Sequence, residues 1–200
     1  MGTDYGVGRG KVFPAAKARS LLNPARRIVQ PPRRVVDALG AAPDARVLEI
    51  GCGPGYFSPT IALAVPRGEV VLADLQQEML SLARDRVSSC DHVQLVQLDA
   101  TQLSFGDATF DAVLVVLMLG EVPGRDRCLS EIRRILRPGG VVLFVESRRD
   151  SDFIRRSDLQ ALVEPHDFEL DRFRGWAWEY SARFLAVPDG RHSGATAEQR

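Results

Sequence analysis

Three scarcities narrow the field before any motif is read. Only three cysteines occur in 200 residues, and Cys52, Cys90 and Cys128 stand far apart without forming a C-x-x-C pair. That speaks against a disulfide framework and against a metal site, and for a reducing, cytoplasmic setting. The longest apolar run, 112–119, falls well short of the roughly 20 residues that cross a bilayer, and no signal-peptide pattern opens the chain. Histidine is as rare as cysteine: His92 precedes an expected strand, His166 follows a proline in a turn, and His192 lies near the end. A histidine base therefore has few sources. Net charge is zero, but residues 1–46 hold nine Lys or Arg against three acids, so the rest of the chain is correspondingly acidic. Such a basic arm suits an anionic partner, or the acidic domain of its own chain.

What the chain does have is alternation. Val47–Ile50 reads as a short buried strand, followed by three alternating glycines and an expected helix over 56–65. Further strands are expected at 70–73, 93–98, 110–116 and 141–145, with helices at 76–87, 127–136 and 152–163 between or after them. The run 110–116 is almost continuously apolar, as in a strand covered on both faces. Two last strands, 168–173 and 181–187, have no helix between them and should pair antiparallel. This pattern predicts an α/β, doubly wound, mostly parallel seven-stranded sheet with a C-terminal antiparallel hairpin, a Rossmann-like arrangement. Residues 1–45 are expected to form a basic helical arm or lid, 46–188 the domain, and 189–200 a disordered tail.

A glycine turn at the end of the first strand predicts a nucleoside site, because ligands of open α/β sheets bind outside the carboxyl ends of the strands. The spacing is G-x-G-x-G, and Tyr56 stands where a dinucleotide turn places its third glycine. Glu49, just before the turn, would oppose a pyrophosphate. No G-x-x-x-x-G-K-S/T occurs, so a P-loop is excluded. Acids at the ends of the first three strands suit a cationic nucleoside instead.

The stretch VLEIGCGPG resembles motif I of the class I S-adenosylmethionine-dependent methyltransferases. VVLADLQQEML is similar to that family's second-strand segment, LVQLDATQLSF to its adenine-contacting segment, FDAVLVV to its fourth strand, and EIRRILRPGG with VVLFVE to the approach to its fifth. The resemblance spans 46–187 and is to the small-molecule, quinone-biosynthesis type. It implies S-adenosylmethionine as donor and S-adenosylhomocysteine as product. It also implies that Gly51, Gly53 and Gly55 let the backbone approach the methionine end, with Cys52 a small residue between them and Glu49 fixing the ammonium. Asp74 would accept the ribose hydroxyls and Leu75 would pack on adenine. Asp99 and Ala100 would bind the adenine amino group and ring, and Val116 and Leu117 would lie near the sulfonium.

The acceptor is less legible. Glu121 and Glu146, after the fourth and fifth strands, are the candidate general bases. The histidine pair of many small-molecule members is missing from 119–123. No D/N-P-P-Y/F motif, Pro-Cys nucleophile or spaced cysteine triplet occurs, which leaves a small, partly apolar acceptor as the expected partner and speaks against nucleic acid. Phe13, Arg148 and Trp176 are candidate acceptor contacts. Two alternatives stay open: a non-catalytic S-adenosylmethionine-binding regulator or partner protein, and an RNA methyltransferase using the basic arm. Peripheral membrane contact through that arm also stays open, as does the oligomeric state.

Overall fold

The structure, a computed structural model, describes residues 12–176 and 178–187. The first 11 residues of the arm and the expected tail lie outside the described residues. After a 3₁₀ segment, Ala15–Leu22, come α1 (Arg26–Val29) and α2 (Pro32–Leu39). The Asn23 side chain accepts the Ala25 amide to start α1. Pro32 opens α2 and Gly40, left-handed at φ 66°, closes it.

The domain then alternates: β1 (Arg46–Ile50), α3 (Ser58–Ala64), β2 (Glu69–Asp74), α4 (Gln77–Val87), β3 (Val93–Gln97), β4 (Phe110–Val116), α5 (Arg125–Ile135), β5 (Leu136–Ser147), α6 (Arg156–Val163), β6 (Phe168–Trp176) and β7 (Glu179–Ala186). These seven strands form one sheet in the order β3-β2-β1-β4-β5-β7-β6. The first five are parallel, and β7 runs antiparallel to both β5 and β6. The expected doubly wound architecture is therefore present.

Strand residues alternate between two cores. Leu48, Val71, Val113 and Phe144 face α5 and α6, while Val47, Leu72, Leu114 and Leu143 face α2, α3 and α4. Both faces are covered, which explains why the central strands are apolar without alternation. From the arm, α2 supplies Val35, Val36 and Leu39 to this core.

Among the element boundaries that differ from expectation, three have a local physical cause. The helix expected over 56–65 begins at Ser58, since Pro59 can occupy only the first turn of a helix. The fifth strand begins five residues before Val141. Leu136 pairs with Phe110, and the register shifts before Val141 so that Pro138-Gly139-Gly140 form an irregular stretch of strand rather than a loop. The helix expected from 152 starts at Arg156, because Ile154 instead gives its amide to the Glu146 carboxylate, at 3.1 Å.

Candidate active site

Strand order reverses between β1 and β4, and the crevice of an open α/β sheet lies at that point. A cavity of about 520 Å³ opens there, walled by the segments that follow β1, β2, β3 and β4 and roofed by the arm.

The turn after β1 is built around two acceptors. Gly51 and Cys52 both donate to the Ala73 carbonyl, at 2.8 and 3.0 Å. The Gly53 amide donates to one Asp74 oxygen at 2.8 Å, and the Gln76 amide donates to the other at 2.9 Å. One carboxylate thus pins the ends of β1 and β2 together. Each of its oxygens keeps a second lone pair for a ligand. Burial raises the Asp74 pKa, and the amides of Gln76 and Gly53 pull it back down. Gly53 has φ 53°, and a Cβ there would meet only the Leu21 side chain, at 3.8 Å, so its backbone lines the cavity. Gly55 serves a different purpose. A Cβ there would meet the Ala83 backbone of α4 at 3.0 Å, so it permits α4 to approach and stands behind the cavity wall.

Glu49 is buried, and the Ser58 hydroxyl donates to it at 2.6 Å. Burial pushes its carboxyl up to about 8, against the opposing pull of Ser58. A carboxyl so deprived of water is suited to meet a cation. Across the crevice, Leu117 has the left-handed φ of 52° and its amide bonds to the Val145 carbonyl at 2.9 Å. Strain of this kind in a non-glycine residue gathers at functional sites. Asp99 folds back on its own segment, accepting the Thr101 amide and hydroxyl, both at 2.8 Å.

The arm forms the roof. The Phe13 amide donates to Glu121 at 3.2 Å, while the Phe13 carbonyl accepts the Gln76 side chain at 2.9 Å. One residue of the arm therefore bridges the segments after β2 and β4. Tyr56 donates its hydroxyl to the Gln30 carbonyl at 3.1 Å, and the Arg26 guanidinium lies 4.4 Å from the Tyr56 ring centre. The residue that breaks the dinucleotide pattern thus anchors the arm. Glu121 is driven to about 7, first by burial, with Phe13 opposing and Asp150, Asp152 and Asp74 adding to the rise.

Of the residues expected to hold the donor, Glu49, Gly51, Cys52, Gly53, Asp74, Leu75, Asp99, Ala100, Val116 and Leu117 all line this one cavity. Glu121 and Phe13 line it too. Glu146 and Arg148 do not. Glu146 is buried and occupied by the Ile154 amide, and burial raises it to about 8. Arg148 stacks 4.9 Å from the ring centre of Trp178, which is itself exposed. Trp176 belongs to β6, and its side chain lies outside the described residues. Tyr180 of β7 is buried and donates to the Ile154 carbonyl at 2.7 Å. Arg149, next to Arg148 and expected with it near the pocket mouth, is on the cavity wall, whereas sequence reasoning missed Arg26, Gln30, Gln76, Met118 and Glu179 there. Their signal lies in tertiary contact between the arm and the strand ends, and no local spacing encodes it.

The wall fits a nucleoside with a zwitterionic tail. Asp74 offers acceptors where hydroxyls would be bound, Glu49 offers a carboxyl that an ammonium would ionise, and the buried Gln30 amide nitrogen has no partner among the described residues.

Residues 48–144 match the family model described as a methyltransferase domain. A demethylmenaquinone methyltransferase of Staphylococcus aureus is 34% identical over 116 residues, covering 58% of this chain and 48% of the relative. The chain spans about half the length of the curated relatives it matches. Among solved structures, a SAM-dependent methyltransferase from Aquifex aeolicus superposes with TM-score 0.82 at 19% identity, over 88% of this chain and 100% of that one. The 4+2 cyclase SpnF superposes with TM-score 0.71 at 18% identity, over 83% and 82%. These two likenesses concern the fold. In its matched domain, its strand order and the place of its cavity, the chain is similar to the class I S-adenosylmethionine-dependent methyltransferases.

Proposed function

We propose that this protein methylates a small, partly apolar organic acceptor, with S-adenosylmethionine as donor, and that the acceptor is a hydroxylated ring of the reduced-quinone type. One observation carries the reading. Every donor-binding residue read from the sequence except Gly55 lines a single cavity, and the same cavity continues to Glu121 under Phe13, Leu21 and Met118. The acceptor class is supported by that apolar roof and by the name of the Staphylococcus aureus relative.

When bound, the donor supplies an electrophilic methyl carbon on a sulfonium. The chain's own work is to hold, align and keep dry. Gly53 and Asp74 position the ribose and Glu49 meets the ammonium. The roof excludes water and keeps the acceptor in line, which can supply much of the rate of a displacement. Glu121 takes the proton that a hydroxylated ring gives up. A carboxyl near 7 is half ionised at neutral pH, the range in which a general base is most effective.

A second reading, an S-adenosylmethionine-binding protein without transfer, is favoured by a single contact, the Phe13 amide on Glu121. The two separate in one assay. Purified protein is given methyl-labelled S-adenosylmethionine with reduced demethylmenaquinone, simpler phenols, or total RNA. Label in the organic phase, lost in Asp74→Ala, supports methylation of a small acceptor. Donor binding with no transfer to any of these supports the second reading, and label confined to RNA would contradict both.

A further inference from the structure

Arg26 and Gln30 stand one helical turn apart at the end of the arm, and both face the cavity. Arg26 Nε donates to Gln30 Oε1 at 2.8 Å, and Arg26 Nη1 donates to the Leu21 carbonyl at 3.2 Å. Its plane is held against Tyr56 and Phe57, at 4.4 and 5.3 Å from the ring centres. A guanidinium can only donate, so the Gln30 side-chain oxygen must face Arg26 and the amide nitrogen must face away from it. That nitrogen is buried without an acceptor among the described residues, in a side chain belonging to a residue only 3% exposed. Arg26 Nη2 likewise carries no hydrogen bond there, and no carboxylate lies within ion-pair distance of the guanidinium. The acids that face it at longer range are Glu179, Glu49 and Asp150. A buried donor such as the Gln30 nitrogen is nearly always satisfied in the functional state.

Two fixed donors, one charged, ask for an anion with two acceptor oxygens. We infer that Arg26 and Gln30 are the seat for the carboxylate of the donor's methionine portion, opposite the Glu49 side of the same wall where its ammonium is met. This rests on the S-adenosylmethionine reading. It gives the arm a chemical role as a sensor of the amino-acid tail: a ligand carrying the carboxylate ties the roof down, and a nucleoside lacking it leaves the roof without that tie.

The test is calorimetric titration of the full chain with S-adenosylhomocysteine and with its decarboxylated analogue, which keeps the adenosine, sulfur and amine. Wild type should bind the intact product at least tenfold more tightly than the analogue. Gln30→Glu places a negative charge beside the carboxylate and should weaken the intact product at least tenfold while leaving the analogue equal or tighter. Arg26→Gln should remove most of the preference between the two. Equal weakening of both ligands in both variants would overturn the assignment, as would no weakening of either. Should wild type bind neither ligand, the donor reading itself falls and the assignment falls with it. If Gln30→Glu proves unfolded by circular dichroism, Arg26→Lys replaces it. A preference for the intact product that survives in Arg26→Lys but not in Arg26→Gln supports the seat, and one that survives in both overturns it.

Discussion

Asp74 is the residue on which the site depends most. Its two oxygens join two strand ends through the amides of Gly53 and Gln76, and the spare lone pairs face the cavity. Asp74→Ala should weaken S-adenosylhomocysteine binding about 10- to 100-fold, since hydrogen bonds to a charged group contribute about 1.5–3 kcal/mol; titration of the purified variant measures this. In the proposed reaction Glu121 acts on the chemistry rather than the binding. Glu121→Gln should lower kcat by about 100-fold or more with a hydroxylated acceptor. In the wild type, kcat should rise as pH passes about 7, because only the ionised carboxylate can take a proton. A flat pH profile would remove Glu121 from the role. The place of both residues on the cavity wall was legible beforehand, Asp74 from its position at a strand end and Glu121 from its position after the fourth strand. Glu146 looked equivalent in sequence, and only the packing of 147–155 shows its carboxylate turned to the Ile154 amide.

The element that organises the chain is β1 with its turn and α3. Its glycines, the acid before them and the tyrosine after them were all visible in the sequence, yet their division of labour was not. Gly53 presents backbone to the ligand, whereas Gly55 makes room for α4. Gly55→Ala would combine a left-handed φ of 75° with a contact on the Ala83 backbone. It should destabilise the protein by about 1–3 kcal/mol, read as a lower denaturant midpoint, with S-adenosylhomocysteine affinity affected less than in Asp74→Ala. The arm shows the opposite case. Its charge and proline punctuation were apparent, but hydrogen bonds from Phe13 to Glu121 and Gln76 span 108 and 63 residues of sequence. Contacts of that reach leave no trace in local spacing, so its role as a roof emerged only from the fold. The irregular start of β5 escaped for a related reason: Pro-Gly-Gly reads as a loop unless the neighbouring strand holds it in register.

For the molecule as a whole, two buried carboxyls and one half-buried one set the response to pH. Burial raises Glu49 and Glu146 to about 8 and Glu121 to about 7, all above the ordinary 4.5. The folded state therefore binds more protons than the unfolded state between those values, and stability falls as pH rises through that window. The ligand-free Tm should drop between about pH 5 and pH 8. Product binding should lessen the drop, because an ammonium beside Glu49 favours its ionised form. A ligand-free Tm that rises over this range would contradict the burial of these groups. The doubly wound sheet itself was the most legible feature, since five apolar strands separated by helical stretches permit few other arrangements. The identity of the acceptor was the least legible, because it depends on the roof and not on the strand ends.

The central claim is that this crevice holds a sulfonium nucleoside, and ligand-dependent thermal stability tests it most directly. S-adenosylmethionine or S-adenosylhomocysteine should raise the Tm, with a stabilisation of about 2.7 kcal/mol at a hundredfold excess over Kd. NAD should leave it unchanged, and Asp74→Ala should lose most of the shift. Stabilisation by NAD and by neither sulfur nucleoside would contradict the account.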